Sequence, residues 1–90
     1  LYNTSTAKGC KVTALSKSSS GKRSMAEYNV IDNGTDIFHN EYGSLNTSLD
    51  QFTTAFDFTG SSEPRITFTL STDHATSDIV NFTVLVQEIK

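Results

Sequence analysis

The sequence contains a single cysteine, Cys10, in 90 residues. No disulfide can therefore form within the chain, which excludes the disulfide-stapled scaffolds typical of small secreted domains. The simplest interpretation of Cys10 is a small apolar residue of the core or of a linker. A reactive thiol or an interchain bridge is the alternative.

Long apolar runs are also missing. None approaches the roughly 18 residues of a membrane-spanning helix, and the first residues do not follow a signal-peptide pattern. We therefore expect no contact with a membrane.

The overall composition also does not favour helices. Tryptophan is absent, proline occurs once, and the chain is 36% hydrophobic and 19% charged, with a net charge of −3. These values are ordinary for one small folded domain. Threonine suits strands, whereas serine and asparagine suit turns, so their abundance favours β structure.

An Asn33-Gly34 pair stands between two runs rich in aromatic and branched residues, 26–32 and 35–44. This arrangement is the strongest local signal for a β-hairpin. It predicts a two-residue type I′ turn, with positive φ at both Asn33 and Gly34.

Further strands are indicated by alternation of apolar and polar residues at 11–17, 52–59, 65–71 and 79–88. Six strands with one-sided apolar faces predict an all-β fold, a small antiparallel β-sandwich that is jelly-roll-like, or a partly rolled barrel. The predicted core comprises Val12, Tyr28, Val30, Phe38, Tyr42, Phe52, Phe56, Phe58, Ile66, Phe68, Leu70, Val80, Phe82, Val84 and Val86.

Residues 1–9 carry no such period, and we interpret them as a linker from an upstream region, followed by a single β-sandwich domain over 10–90. A domain this small is close to the limit of independent stability, and its edge strands need cover. Association with identical copies or with a parent chain would meet both needs.

The run from Asp32 to Gly43 resembles a pattern in structural proteins of marine tailed bacteriophages. In those proteins a strand ends in a turn like Asn33-Gly34-Thr35, and the return strand finishes in a sequence like Glu41-Tyr42-Gly43. Followed through the later strands, the likeness covers roughly 11–90. The turn here is longer than that of the family pattern, and so is the loop around Asp73-His74.

The resemblance implies a carboxyl-terminal β-sandwich of a virion component such as a fibre, neck, baseplate or capsid decoration protein. Its partners would be other virion proteins, in a homo-oligomer with threefold or higher symmetry or as part of a larger chain, in a particle assembled in the host cytoplasm. Candidate contact residues are Tyr2, Leu15, Leu45, Leu49 and Leu85.

A carbohydrate-binding or receptor-binding module, with a host surface glycan as its partner, is the alternative function. Such sites present aromatic side chains beside polar groups. The candidates for ligand contact are Tyr28, His39 and Tyr42. A bacterial adhesion domain is a third hypothesis.

Motifs for catalysis and cofactor binding are absent from the sequence, so we expect neither an enzyme nor a bound cofactor. Asp32 and Asp36 flank the hairpin turn without the ligand spacing of a calcium loop, which favours capping of the turn. His39 and His74 have no partners at zinc-ligand spacing, so no metal site is predicted.

Basic residues are concentrated before Glu27, and every acidic residue lies at or after it. A basic arm for nucleic acid is one interpretation, but aromatic residues do not alternate with the lysines. We favour the other interpretation, in which the first strand pairs with acidic neighbours across the sheet.

Overall fold

A computed structural model describes residues 1–47, 52–60, 63–71 and 78–90, and all regular structure in these ranges is β-strand. The six strands are β1 (Gly9–Ser18), β2 (Arg23–Asp32), β3 (Ile37–Asn46), β4 (Phe52–Thr59), β5 (Glu63–Leu70) and β6 (Val80–Ile89). Every pairing is antiparallel, so the predicted all-β antiparallel fold is confirmed. No helix in the described ranges is suited to crossing a membrane.

Four strands form one sheet in the order β3-β2-β1-β6, and β4 and β5 form a separate hairpin. The order is that of a Greek key, because β6 returns to pair with β1 on the side opposite β2. The β4–β5 hairpin belongs to the long connection between β3 and β6. It lies on one face of the four-stranded sheet, which we call the inner face.

Buried and solvent-facing side chains alternate along β1 and β2, and the buried ones form the centre of the inner face. Val12 lies opposite Tyr28, and Ala14 lies opposite Ala26, and all four side chains are buried. Aromatic rings of the hairpin close the core over them, with Phe56 packed edge-to-face on Tyr28 at a centroid distance of 5.6 Å. The buried apolar residues are Tyr2, Ala7, Cys10, Val12, Ala14, Ala26, Tyr28, Val30 and Phe52.

The segment interpreted as a linker packs on this core. Tyr2 is only 4% exposed, and its hydroxyl donates a hydrogen bond to Asp32 Oδ1 at 2.7 Å. Ala7 is buried as well, and the backbone N–H of Lys8 donates to the carbonyl of Ile89 at 2.7 Å. Residues 1–8 therefore stabilise the same body as the strands that follow.

The hairpin at Asn33-Gly34 is confirmed, but the predicted type I′ turn is wrong. Asp32 pairs with Ile37, so the loop has four residues, and only Gly34 has a positive φ, of 91°. The Asn33 side-chain oxygen accepts from the N–H groups of Thr35 at 2.9 Å and Asp36 at 2.7 Å. These bonds favour an ordinary negative φ at Asn33, since its side chain replaces a backbone acceptor.

A β-bulge interrupts the pairing of β2 with β3. Glu27 lies opposite Gly43 while Tyr28 lies opposite Glu41, so Tyr42 is an extra residue. Tyr42 is 48% exposed and Phe38 is 50% exposed. Phe38 pairs with Ile31, which lies on the face of the sheet opposite the inner face. The prediction that these two aromatic residues belong to the core is therefore wrong.

Three further predicted core residues are also exposed, because the hairpin is too narrow to cover the whole inner face. Leu70 ends β5, and Val84 and Val86 lie in β6 beyond the hairpin. Phe82 is the residue of β6 whose ring contacts the hairpin, with centroid distances of 5.4 Å to Phe52 and 5.2 Å to Phe68. Beyond Phe82 the hairpin no longer covers β6.

Two strands extend beyond the ranges that the sequence pattern predicts. Leu45 and Asn46 belong to β3, where they pair with Met25 and Ser24. Pro64 lies inside β5 and is buried, opposite Phe58. A proline is tolerated there because, among the described strands, β5 pairs with β4 alone, so its other edge needs no donor.

Candidate functional site

The face of the four-stranded sheet turned away from the hairpin, the outer face, carries most of the exposed apolar side chains. Its residues alternate with the buried ones, so they are fixed by the same register that builds the core. No described element packs on this face.

A row of apolar side chains crosses three strands on the outer face. Leu45 lies opposite Met25, and Met25 lies opposite Leu15, and we call these three residues the leucine row. Leu45 is 67% exposed and Leu15 is 40% exposed. Leu85, which is 65% exposed, pairs with Thr13 and is therefore the diagonal neighbour of Leu15.

A second row lies at the other end of the outer face. Phe38 pairs with Ile31, and Gly9 separates Ile31 from Ile89. A Cβ added to Gly9 would lie 2.6 Å from the carbonyl oxygen of Val30, so this gap in the row cannot be filled by a larger residue without a shift. Between the two rows runs a polar strip that includes Lys11 and Asn29.

The predicted pairing of basic β1 with acidic strands is wrong. Lys11 lies between Asn29 and Gln87, and Lys17 lies between Arg23 and Asn81. Two cations therefore lie opposite each other next to the leucine row, which is unfavourable within an isolated sheet. An acidic group on a contacting partner would relieve this repulsion.

Three of the predicted contact residues share this surface, namely Leu15, Leu45 and Leu85. Tyr2 does not, because it is buried and its hydroxyl bonds to Asp32, and burial together with this bond raises the pKa of its phenol. Its predicted contact with a neighbouring subunit is therefore corrected to a contact within the chain. Leu49 lies outside the described residues, as does His74.

A cleft of about 590 Å³ lies between β3 and β4. Its described lining is mostly polar, and Glu41, Tyr42 and Asn46 contribute side chains from β3. Phe52 and Thr54 of β4 form the opposite wall. The arrangement suits a small polar ligand with one apolar side, held by an aromatic ring and hydrogen-bonding groups.

The three predicted ligand residues are not brought together. Tyr28 and Tyr42 both line the cleft, but Tyr28 is buried, and Thr54 Oγ1 lies 3.4 Å from its hydroxyl. His39 instead stacks on Phe56 at a centroid distance of 4.1 Å and borders a separate shallow pocket with Phe38. Only Tyr42 of the three presents an accessible ring to the cleft.

The Asp32 carboxylate caps the turn. Asp32 accepts hydrogen bonds with both carboxylate oxygens, one from the backbone N–H of Gly34 at 2.9 Å and the other from the Tyr2 hydroxyl. Among the described residues, no cluster of three histidine, cysteine or acidic side chains is arranged to hold a metal ion. Cys10 is buried, and burial raises the pKa of its thiol.

Sequence reasoning missed Met25, Ile31, Phe38 and Ile89 as parts of an exposed surface. The available signal was the parity of β2, in which Met25 and Ile31 alternate with the residues of the predicted core. Leu85 was predicted as a contact residue because it is an apolar residue on the polar side of its strand. The same reasoning applies to these positions.

No protein-family model, curated protein or solved structure matches this chain. A functional proposal therefore depends on the residues and the geometry described above.

Proposed function

We propose that this chain is an assembly module that acts by binding another protein through the outer face of its four-stranded sheet. The observation that carries the proposal is the leucine row with Leu85 beside it, exposed together on one face of the sheet. Monomeric proteins rarely leave such contiguous apolar surface uncovered unless it has a partner.

The chemistry of the partner follows from the groups around the leucine row. Lys17 and Arg23 lie opposite each other at its border, so a complementary surface offers apolar side chains next to carboxylates. An apolar centre favours a protein over a nucleic acid, whose backbone would engage the cations alone.

The parent assembly is proposed from the sequence resemblance, which points to the virion of a tailed phage. In such a particle, a small all-β module gains stability from its neighbours, and Leu15, Leu45 and Leu85 would become buried contacts. The function is noncovalent, and no residue of the outer face is assigned a catalytic role.

The test compares the free chain with the purified particles that contain it, using hydroxyl-radical footprinting read by mass spectrometry. We expect oxidation of Met25, Leu45 and Leu85 in the free chain and strong protection in the particle. Glu63, Thr67 and Arg65 on the hairpin provide an internal reference for the dose. Equal oxidation of the leucine row in both states, or absence of the chain from particles, would contradict the proposal.

The cleft between β3 and β4 supports a second candidate, a carbohydrate-binding module. Tyr42 is the exposed ring, and Glu41 and Asn46 offer hydrogen-bonding groups beside it. A glycan array probed with the chain and with Tyr42→Ala separates the two functions. Binding that Tyr42→Ala abolishes would favour the cleft, whereas an array without signal leaves the outer face as the functional surface.

A further inference from the structure

We infer that β6 is a self-complementary edge through which two copies of this chain join their four-stranded sheets into one. The inference rests on the proposed function only in assuming that the chain acts by binding other protein chains. It names a different surface, the edge of the sheet, and a different partner, a second copy.

Among the described strands, β6 ends the sheet and pairs with β1 alone. The carbonyls of Ile79 and Ile89 accept bonds from Ser19 and Lys8, so the odd-numbered residues direct their backbone groups towards β1. Successive residues of a strand point their backbone groups to opposite sides. The even-numbered residues from Val80 to Glu88 therefore present N–H and C=O groups to the open edge.

The residues of this edge strand carry none of the sequence features that usually protect exposed strands. From Ile79 to Gln87 it contains neither a charge nor a proline, and its pairing with β1 shows no bulge. By contrast, β3 carries the bulge at Tyr42, and β5 contains Pro64. The edge of β6 is therefore the one best suited to accept another strand.

The side chains of β6 match themselves in one antiparallel register, with Val84 opposite Val84 of the second copy. In that register most apolar residues meet apolar ones, amides meet amides and opposite charges meet at the strand ends. The pairs are Ile79 with Ile89, Asn81 with Gln87, Phe82 with Val86 and Asp78 with Lys90. Thr83 then lies opposite Leu85, and Val80 opposite Glu88, which is 4.0 Å from the ammonium group of Lys90.

Neighbouring registers are worse. A slide of one residue would place inner-face side chains opposite outer-face ones. The two strands can therefore shift against each other only in steps of two residues. One slide places Asp78 opposite Glu88 and Asn81 opposite Leu85. The other places Phe82 opposite Glu88 and Asn81 opposite Ile89. The first slide opposes like charges, and the second places both Phe82 and Val80 opposite charged residues. The Val84 register places only Val80 opposite a charge and pairs Asp78 with Lys90.

Pairing through β6 also covers the apolar surface that the hairpin leaves open. A twofold axis perpendicular to the sheet keeps both hairpins on the same face. Val84, which is 39% exposed, and Val86 lie on that inner face, where Val84 would pack on Val84 and Val86 on Phe82 of the second copy. The isologous geometry makes the contact a closed pair.

The register is tested by a cysteine scan of the chain in a Cys10→Ala background. The single variants are Phe82→Cys, Thr83→Cys, Val84→Cys, Leu85→Cys and Val86→Cys, each oxidised with copper phenanthroline and analysed on a non-reducing gel. We expect the disulfide-linked dimer to form fastest at position 84, because each step of one residue separates the two copies by about 7 Å along the strands, twice the rise per residue. A maximum at another position, or none, overturns the inference.

A charge at the same position provides the second test. Val84→Lys places two like charges opposite each other, and we expect it to raise the dimer dissociation constant at least about tenfold in sedimentation equilibrium. Leu15→Lys is the matched control, since Leu15 is 40% exposed but lies on the outer face of β1. It should leave the dissociation constant unchanged, and circular dichroism reports folding of both variants.

The outcomes separate the two proposals. A natural chain that remains monomeric at high concentration overturns the β6 inference and leaves the footprinting test untouched. Association lost in Leu15→Lys but kept in Val84→Lys also overturns it, because self-contact then runs through the outer face. A disulfide maximum at position 84 without footprinting protection in particles supports the β6 pair while contradicting the proposed function.

Discussion

At the residue scale, two adjacent serines on the inner face have opposite roles. Ser16 and Ser24 lie opposite each other on β1 and β2, and both are buried. The Ser24 hydroxyl donates to Asn46 Oδ1, whereas the Ser16 hydroxyl has no hydrogen-bond partner among the described residues. A buried hydroxyl without a partner is destabilising, so the same residue type stabilises at one position and not at its neighbour.

We therefore expect Ser16→Ala to raise the free energy of unfolding by about 1 kcal/mol, because it removes an unpaired polar group at almost constant volume. Ser24→Ala is the matched control and should lower it by about 1 kcal/mol. Urea denaturation followed by circular dichroism measures both. Equal losses in the two variants would show that the Ser16 hydroxyl is paired in solution.

Cys10 should be chemically silent in the folded chain. Its side chain is 1% exposed, and burial raises the pKa of its thiol, so little thiolate is accessible at neutral pH. We expect no reaction with Ellman's reagent at pH 7 in native buffer and stoichiometric reaction in denaturant. A Cys10→Ala variant with Asn40→Cys on the surface should react at once, and rapid labelling of native Cys10 would refute its burial.

At the scale of elements, alternation of apolar and polar residues was enough to predict the strands and the inner faces of all of them except β3. Val12, Ala14 and the aromatic residues of β4 repeat with a period of two, which reflects the pleat directly. The bulge at Tyr42 could not be predicted, because one extra residue in a strand has no local signature. Exposure of Val84 was also hidden, since it depends on how much of β6 the hairpin covers.

The β2–β3 turn depends on the Asn33 side chain. Asn33→Ala removes the acceptor for two backbone N–H groups, and we expect it to lower the free energy of unfolding by about 1–2 kcal/mol. Asn33→Asp keeps an acceptor oxygen and should cost less. Chemical denaturation provides the comparison, and an equal loss in both variants would assign the effect to something other than the accepting oxygen.

The β4–β5 hairpin is joined across its strands by an exposed ion pair. Arg65 donates to both carboxylate oxygens of Asp57, at 2.9 and 2.6 Å. This bidentate hydrogen bond lowers the pKa of Asp57. Since the folded pKa is the lower one, the stabilisation is complete above the unfolded value of about 3.9 and is lost as the pH falls through the folded value.

We expect the stability difference between the natural chain and Asp57→Asn to be small at pH 6 and to decrease as the pH falls below about 3.9. Denaturation curves at a series of pH values measure it, with Arg65→Gln as a second variant that removes the same pair. A difference that grows on acidification would show that Asp57 does not have a lowered pKa.

At the scale of the whole molecule, the leucine row contributes to contact and not to folding. Leu45→Lys should change the free energy of unfolding by less than about 0.5 kcal/mol, because the side chain is already exposed to solvent. Val12→Ala, at a position with 0% exposure, should lower it by about 1–3 kcal/mol. Thermal denaturation distinguishes the two, and a large loss in Leu45→Lys would place Leu45 in a structural role.

The bulge in β3 has a consequence for how far assembly can proceed. If two sheets fuse along β6, the rims of the eight-stranded product are both β3. At each rim, Tyr42 breaks the regular spacing of backbone donors and acceptors, so an incoming strand finds no continuous template. Growth is thereby self-limiting, and the chain can form a pair without seeding a fibril.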